Sequence, residues 1–138
     1  MTPMNNTTPL SVVWSDFQRY YERVVNDLED ASELIEELRE MNIDPPAMVE
    51  FFEPRSGKAL AIGVGRIDTV LTYQESLDPP YYISQGPVCN DGIVSFCYGN
   101  EDTEFLNQNR VPFQPGLDAL LFFVLHRSKP PSLEWECL

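Results

Sequence analysis

Apolar positions along the chain keep two different periods. Leu28, Ala31, Leu34, Ile35, Leu38 and Met41 recur at helical spacing, and Glu29, Glu33, Glu36, Glu37 and Glu40 fall between them. The two sets take opposite sides of an amphipathic helix over residues 27–41. Asn26, three residues before Glu29, is placed to cap its start. Asn42 and the Asp44-Pro45-Pro46 segment end it, since a residue before proline avoids helical dihedrals.

Downstream the period shortens to two. Short β-rich pieces at residues 47–53, 58–64, 68–73, 81–85, 93–98 and 103–105 are separated by Pro54-Arg55-Ser56-Gly57, Gly65-Arg66, residues 76–80, Asn90-Asp91-Gly92 and Gly99-Asn100. Connections this short favour an antiparallel meander over parallel crossovers. A second helix is expected over residues 115–126, burying Leu117, Leu120, Leu121, Val124 and Leu125, with Pro115 in the first turn, where proline is tolerated. The terminal run Leu133-Glu134-Trp135-Glu136-Cys137 alternates and reads as a closing strand with Leu133, Trp135 and Cys137 inward. A first strand fits residues 19–25, and the Thr/Asn/Pro-rich residues 1–13 read as a flexible tail ahead of one folded unit, 14–138. The predicted class is α+β: a mostly antiparallel sheet packed with two helices in a single domain.

Composition narrows the function. The chain has 138 residues and is 43% hydrophobic and 12% aromatic, enough for a packed core of its own. The longest apolar run, near residues 117–125, is too short for a membrane span, and the N-terminal residues lack the basic segment of a signal peptide. Cys89, Cys97 and Cys137 form no C-x-x-C pair, and His126 is the sole histidine, so a disulfide framework or zinc site is not expected and a reducing cytoplasm fits. The net charge of −13 argues against direct binding to nucleic acid or an anionic membrane. Acids gather between residues 22 and 53, which reads either as a solubilising face or as a docking face for a basic protein.

Little of the sequence reads as catalytic machinery. Gly63 and Gly65 in Ala61-Ile62-Gly63-Val64-Gly65-Arg66 have the spacing of a phosphate-cradling loop, but Asp68 stands where the third glycine of a dinucleotide fingerprint belongs, and the next residues read as a strand. Glycines so placed mark a bulge or a close backbone approach. A nucleophilic triad would have to use His126, which sits at a helix C-terminus beside Arg127, where a cation complements the helix dipole. The carboxylates are abundant but carry no calcium-loop spacing.

The blocks LAIGVG, VLTY, PPYYISQG, GIVSFCYGNEDTEF, VPFQPGLDALLFF and PPSLEWE, in that order over roughly residues 47–138, resemble the bacterial immunity-protein family that accompanies nucleic-acid deaminase toxins in polymorphic and interbacterial toxin systems. Matching positions are Gly63, Gly65, Tyr82, Ser84, Tyr98, Gly99, Glu104, Trp135 and Glu136; the Cys89-Asn90-Asp91 turn and Pro115 depart from the pattern. The resemblance implies a small cytoplasmic bacterial protein with no catalytic residues, cofactor or metal, which binds one cognate toxin domain and blocks it. A deaminase must draw polyanionic nucleic acid into its cleft, so an acidic protein can occupy that cleft in place of phosphates. On this reading residues 98–104 and 75–82 make the contact, with Glu75, Asp78, Glu101, Asp102 and Glu104 as charges and Tyr81, Tyr82 and Tyr98 as anchors. The bland reading makes Tyr82 and Tyr98 core residues and lets Glu104 fix its hairpin. A nuclease or another toxin as target stays open, as does a small-ligand or enzymatic domain using the Gly63–Gly65 turn.

Overall fold

The segment with helical period is α1, Leu28–Glu40, with Ala31, Leu34, Ile35 and Leu38 buried and its glutamates in solvent. Its cap is Asp27, one residue later than expected: the Asp27 carboxylate accepts from the Asp30 N–H at 2.8 Å, and the Asp30 carboxylate accepts from the Asn26 N–H at 2.9 Å. Asn26 therefore lies just outside the helix, tied to Asp30 by its backbone N–H and, at 3.4 Å, by its side-chain amide.

The computed structural model describes residues 8–88 and 90–138. Among these, the strands in chain order are β1 (Leu10–Ser15), β2 (Tyr20–Val25), β3 (Ala47–Phe52), β4 (Ala59–Val64), β5 (Asp68–Thr69), β6 (Leu71–Gln74), β7 (Tyr81–Gln85), β8 (Ile93–Tyr98), β9 (Glu101–Leu106), β10 (Val111–Pro112) and β11 (Glu134–Cys137). The second helix, α2, covers Phe113–His126. The main sheet runs in the order β11-β7-β6-β4-β3-β1-β2, every neighbouring pair antiparallel. Strand β8 joins β3 through one parallel bridge, Ala47 to Cys97, and carries β9 as its antiparallel partner. The result is an α+β domain with a mostly antiparallel sheet and two helices.

Strand alternation sends two sets of residues to the two faces. Val49 and Phe51 of β3, Leu60 and Ile62 of β4, and Leu71 and Tyr73 of β6 join Leu34, Ile35 and Leu38 of α1 and Leu120 and Phe123 of α2 in one core. Met48, Ala61, Val70 and Ile83 face the other way and are covered by Phe96 of β8, with Val94, Tyr98 and Phe105 packed around it. The helices thus close one face, and the β8–β9 hairpin closes part of the other.

Several expectations are corrected. Leu10, Val12 and Trp14 are buried in β1, so the tail expected over 1–13 ends by Leu10; the period-two alternation there outweighs the polar composition before it, and residues 1–7 lie outside those described. Helix α2 starts at Phe113, two residues early, and buries Phe113, Gly116, Ala119, Leu120, Phe123 and Val124, whereas Leu125 is exposed and Leu117 and Leu121 are half-buried. Gly116 sets that rotation, because a Cβ there would stand 2.5 Å from Thr69 Cγ2. Trp135 is half-buried against the helix-side core and donates to the Pro130 carbonyl at 2.8 Å, but Cys137, expected inward, is exposed at the end of an edge strand where no core remains to cover it.

One buried ion pair locks the helix side. Arg127, 4% exposed, takes left-handed dihedrals at the C-terminus of α2 and donates to Glu53 at 2.6 Å, to the Thr8 carbonyl at 2.6 Å and to the Val124 carbonyl at 2.9 Å. Burial works to raise the Glu53 pKa, but hydrogen bonds from Ser56 and Arg127 outweigh it and hold the carboxyl below its ordinary value.

Candidate functional site

The glycine turn is closed by the chain itself. A Cβ on Gly63 would fall 2.5 Å from the Phe96 ring, and one on Gly65, whose φ is +115°, would fall 2.8 Å from Pro46 Cα. These glycines let β8 and the segment before β3 approach the sheet, as expected of a close approach, and a cleft of about 460 Å³ beside Gly65 is lined by Arg66, Asp68, Ser95 and Arg110. Arg66 donates to the Ser95 carbonyl at 2.8 Å, and Asp68 is paired with Arg110 at 2.7 Å.

The face carrying β8 and β9 is only partly covered, and one uncovered part is a cleft of about 190 Å³ beside Tyr98. Glu50 of β3, Thr72 and Gln74 of β6, Tyr81 of β7, Tyr98 of β8 and Leu138 line it. The Tyr98 hydroxyl donates to Glu50 at 2.8 Å. Burial, then the neighbouring Glu50 carboxylate, raises the Tyr98 pKa, so the phenol keeps its proton and the pair stays a charge-assisted hydrogen bond. Glu50 was hidden in the acidic stretch 22–53, yet it is a lone carboxylate in the otherwise apolar strand Ala47–Phe52, and that contrast was the available signal.

The expected contact residues divide by position. Tyr81 is exposed at the rim of the cleft, its hydroxyl donating to the Leu77 carbonyl at 2.7 Å across the loop that carries Asp78. Glu75 and Asp78 are exposed in that same loop. Tyr82, next along β7, turns to the opposite side: it packs on the helix-side core, 6.3 Å from the Tyr73 ring, with Lys129 Nζ 4.0 Å from its centroid. Alternation along β7 therefore puts the two tyrosines on opposite sides of the sheet, with Tyr82 half-buried. Glu101, Asp102 and Glu104 are exposed on β9, the outer strand of its hairpin, opposite Tyr98, Cys97 and Ser95 respectively. Charges along an unpaired edge also discourage stray strand pairing.

The exposed glutamates of α1 belong to the helix side of the sheet, not to this face. Within the acidic stretch, Asp27 and Asp30 serve the cap, Glu50 holds Tyr98 and Glu53 holds Arg127, so the stretch is not one uniform negative face. His126 packs against Phe122 in the last turn of α2, ring centroids 4.3 Å apart and planes tilted by 38°. Cys97 is buried with its sulfur 3.5 Å from the Ser15 hydroxyl, while Cys89 lies outside the described residues. Among the described residues no helix is long and apolar enough to cross a membrane.

Fold and surface together define a small acidic α+β domain with a tyrosine-lined cleft on the open face of its sheet. Residues 19–137 match the model of the immunity protein Imm1 family. The chain belongs to the Imm1 immunity protein family, which makes it an immunity protein against a toxin and favours an inhibitor over an enzyme. No curated protein sequence gave a significant match.

Proposed function

We propose that this immunity protein neutralises a nucleic-acid deaminase toxin in the bacterial cytoplasm by binding it one-to-one and covering its substrate cleft. The observation that carries the reading is that Tyr98, which lines the cleft with Tyr81, has the exposed Glu101 as its cross-strand partner on the same side of the β8–β9 hairpin, with Asp102 and Glu104 exposed along the same strand on its other side, in a chain of net charge −13. A nucleic-acid enzyme presents cationic groove walls to polyanionic substrate. Carboxylates on β9 and in the β6–β7 loop, Glu75 and Asp78 among them, take the place of phosphates, and the Tyr81 ring supplies apolar contact area at the rim. Charge attraction speeds encounter and rejects wrong partners, while the aromatic contacts slow dissociation. Tyr98 contributes by holding the cleft's shape through Glu50, and Tyr82 is assigned to structure.

The test is to mix the protein with the toxin domain encoded beside it and assay deamination of single-stranded DNA and RNA. Stoichiometric loss of activity is expected, and Glu101→Lys with Asp102→Lys should raise the concentration needed by at least about tenfold, because it reverses two exposed charges of the β9 edge. Unimpeded deamination at excess protein contradicts the reading. Inhibition of a nuclease domain instead would reassign the target class.

A further inference from the structure

Three large aromatic side chains are exposed among the described residues: Tyr81 at the cleft, Phe17 in the turn joining β1 to β2, and Tyr20 at the start of β2, the last two 45% and 58% exposed. That turn is held unusually firmly. Asp16 accepts from the Gln18 and Arg19 N–H groups, both at 3.0 Å, and from the Tyr21 hydroxyl at 2.7 Å. Phe17 adopts φ +78°, a left-handed conformation that a bulky residue rarely takes. Its N–H donates to the Asn100 side-chain oxygen at 2.9 Å. Asn100, itself at φ +62° in the β8–β9 turn, donates its N–H to the Ser15 hydroxyl at 2.9 Å. The two hairpin tips are thereby linked, and Asn100 is the residue immediately before Glu101.

Tyr20 is the cross-strand partner of Ser15 and shares its face, which is the face against the β8–β9 turn. We infer that Phe17 and Tyr20 are the apolar anchors of the toxin interface, continuous with the Glu101 and Asp102 charges and presented in a pre-formed loop. The inference rests on the proposed toxin-docking role. An exposed aromatic ring held in strained backbone is expensive unless a partner covers it, and pre-organising it lowers the ordering cost of association. The partner surface that fits is an apolar pocket set in basic residues. A second copy of this chain fits poorly, since it would bring together two molecules of charge −13.

The test uses Phe17→Gly, Tyr20→Ala and Asn100→Gly in the full chain, each titrated calorimetrically against the adjacent toxin domain. Glycine relaxes the left-handed position, so Phe17→Gly should leave the melting temperature unchanged or raise it while weakening toxin binding about thirtyfold, the size of a buried aromatic anchor. Tyr20→Ala should weaken binding about tenfold. Asn100→Gly keeps its own turn conformation but frees Phe17, and should weaken binding about threefold to tenfold. Unchanged affinity in Phe17→Gly and Tyr20→Ala, with the unmodified protein still binding, overturns the inference and leaves the toxin-binding role standing. No binding by the unmodified protein overturns both. Concentration-dependent self-association abolished by Phe17→Gly would give the tip to a second copy and equally overturn it.

Discussion

The two faces of the central sheet are built from the same strands and put to different uses. On the helix side, the inward residues of β3 and β4 are buried in one core with residues of α1 and α2, and Arg127 is held by Glu53 and two backbone carbonyls. On the hairpin side, Phe96 fills the space that Gly63 leaves, but cover stops at Tyr98, and beyond it Glu50, Thr72, Gln74 and Tyr81 remain at an open cleft. The large core on the helix side allows the other face to keep polar and aromatic groups accessible without losing the fold.

The sharpest way to break the helix side is Arg127→Met. It leaves Glu53 largely buried without its cation and should cost about 3–5 kcal/mol in urea unfolding, with partial recovery in the double variant Arg127→Met/Glu53→Gln. The same pair sets an acid limit. Because the folded Glu53 pKa lies below its ordinary value of 4.5, the unfolded chain takes up this proton first; the pair's contribution is intact above pH 4.5 and declines as pH falls through the folded value. Urea midpoints measured from pH 6 to pH 3 should fall more steeply in the native protein than in the double variant.

On the hairpin side the losses are smaller. Gly63→Ala drives a methyl group into the Phe96 ring and should cost about 1–3 kcal/mol, eased by Phe96→Leu, which frees the space. If Gly63→Ala is silent in thermal unfolding, β8 is not seated on the sheet as described. Tyr98→Phe leaves Glu50 without its donor and should cost about 1 kcal/mol while the ring keeps its packing. Smallest of all, Glu101→Lys with Asp102→Lys should change stability by less than about 0.5 kcal/mol, because both side chains are exposed, and yet slow toxin association and flatten its salt dependence.

Most of this architecture was legible wherever a period was long enough to see. Strands β7 and β8 match their expected limits, 81–85 and 93–98, and the stripe from Ala31 to Leu38 gave α1. The failures have physical causes. Composition masked the alternation of Leu10, Val12 and Trp14, and the two-residue pairing of β5 with β10 is too short to leave a pattern. In α2 the glycine at 116, not the run of leucines, decides which side faces the sheet. The cleft was half visible. Tyr81 and the β9 carboxylates could be picked out as exposed chemistry, but the pairing of Tyr98 with Glu50 joins residues 48 apart, and the separation of Tyr81 from Tyr82 needs the strand's orientation. Nothing local in the sequence ties Asn100 to Phe17.

The contrast between the two faces is tested most directly by amide hydrogen exchange of the protein alone and bound to its toxin domain. The account predicts new protection at residues 16–20, 75–82 and 98–104, with α1 unchanged. Protection confined to α1 would place the toxin on the acidic helix and contradict the assignment of the open sheet face.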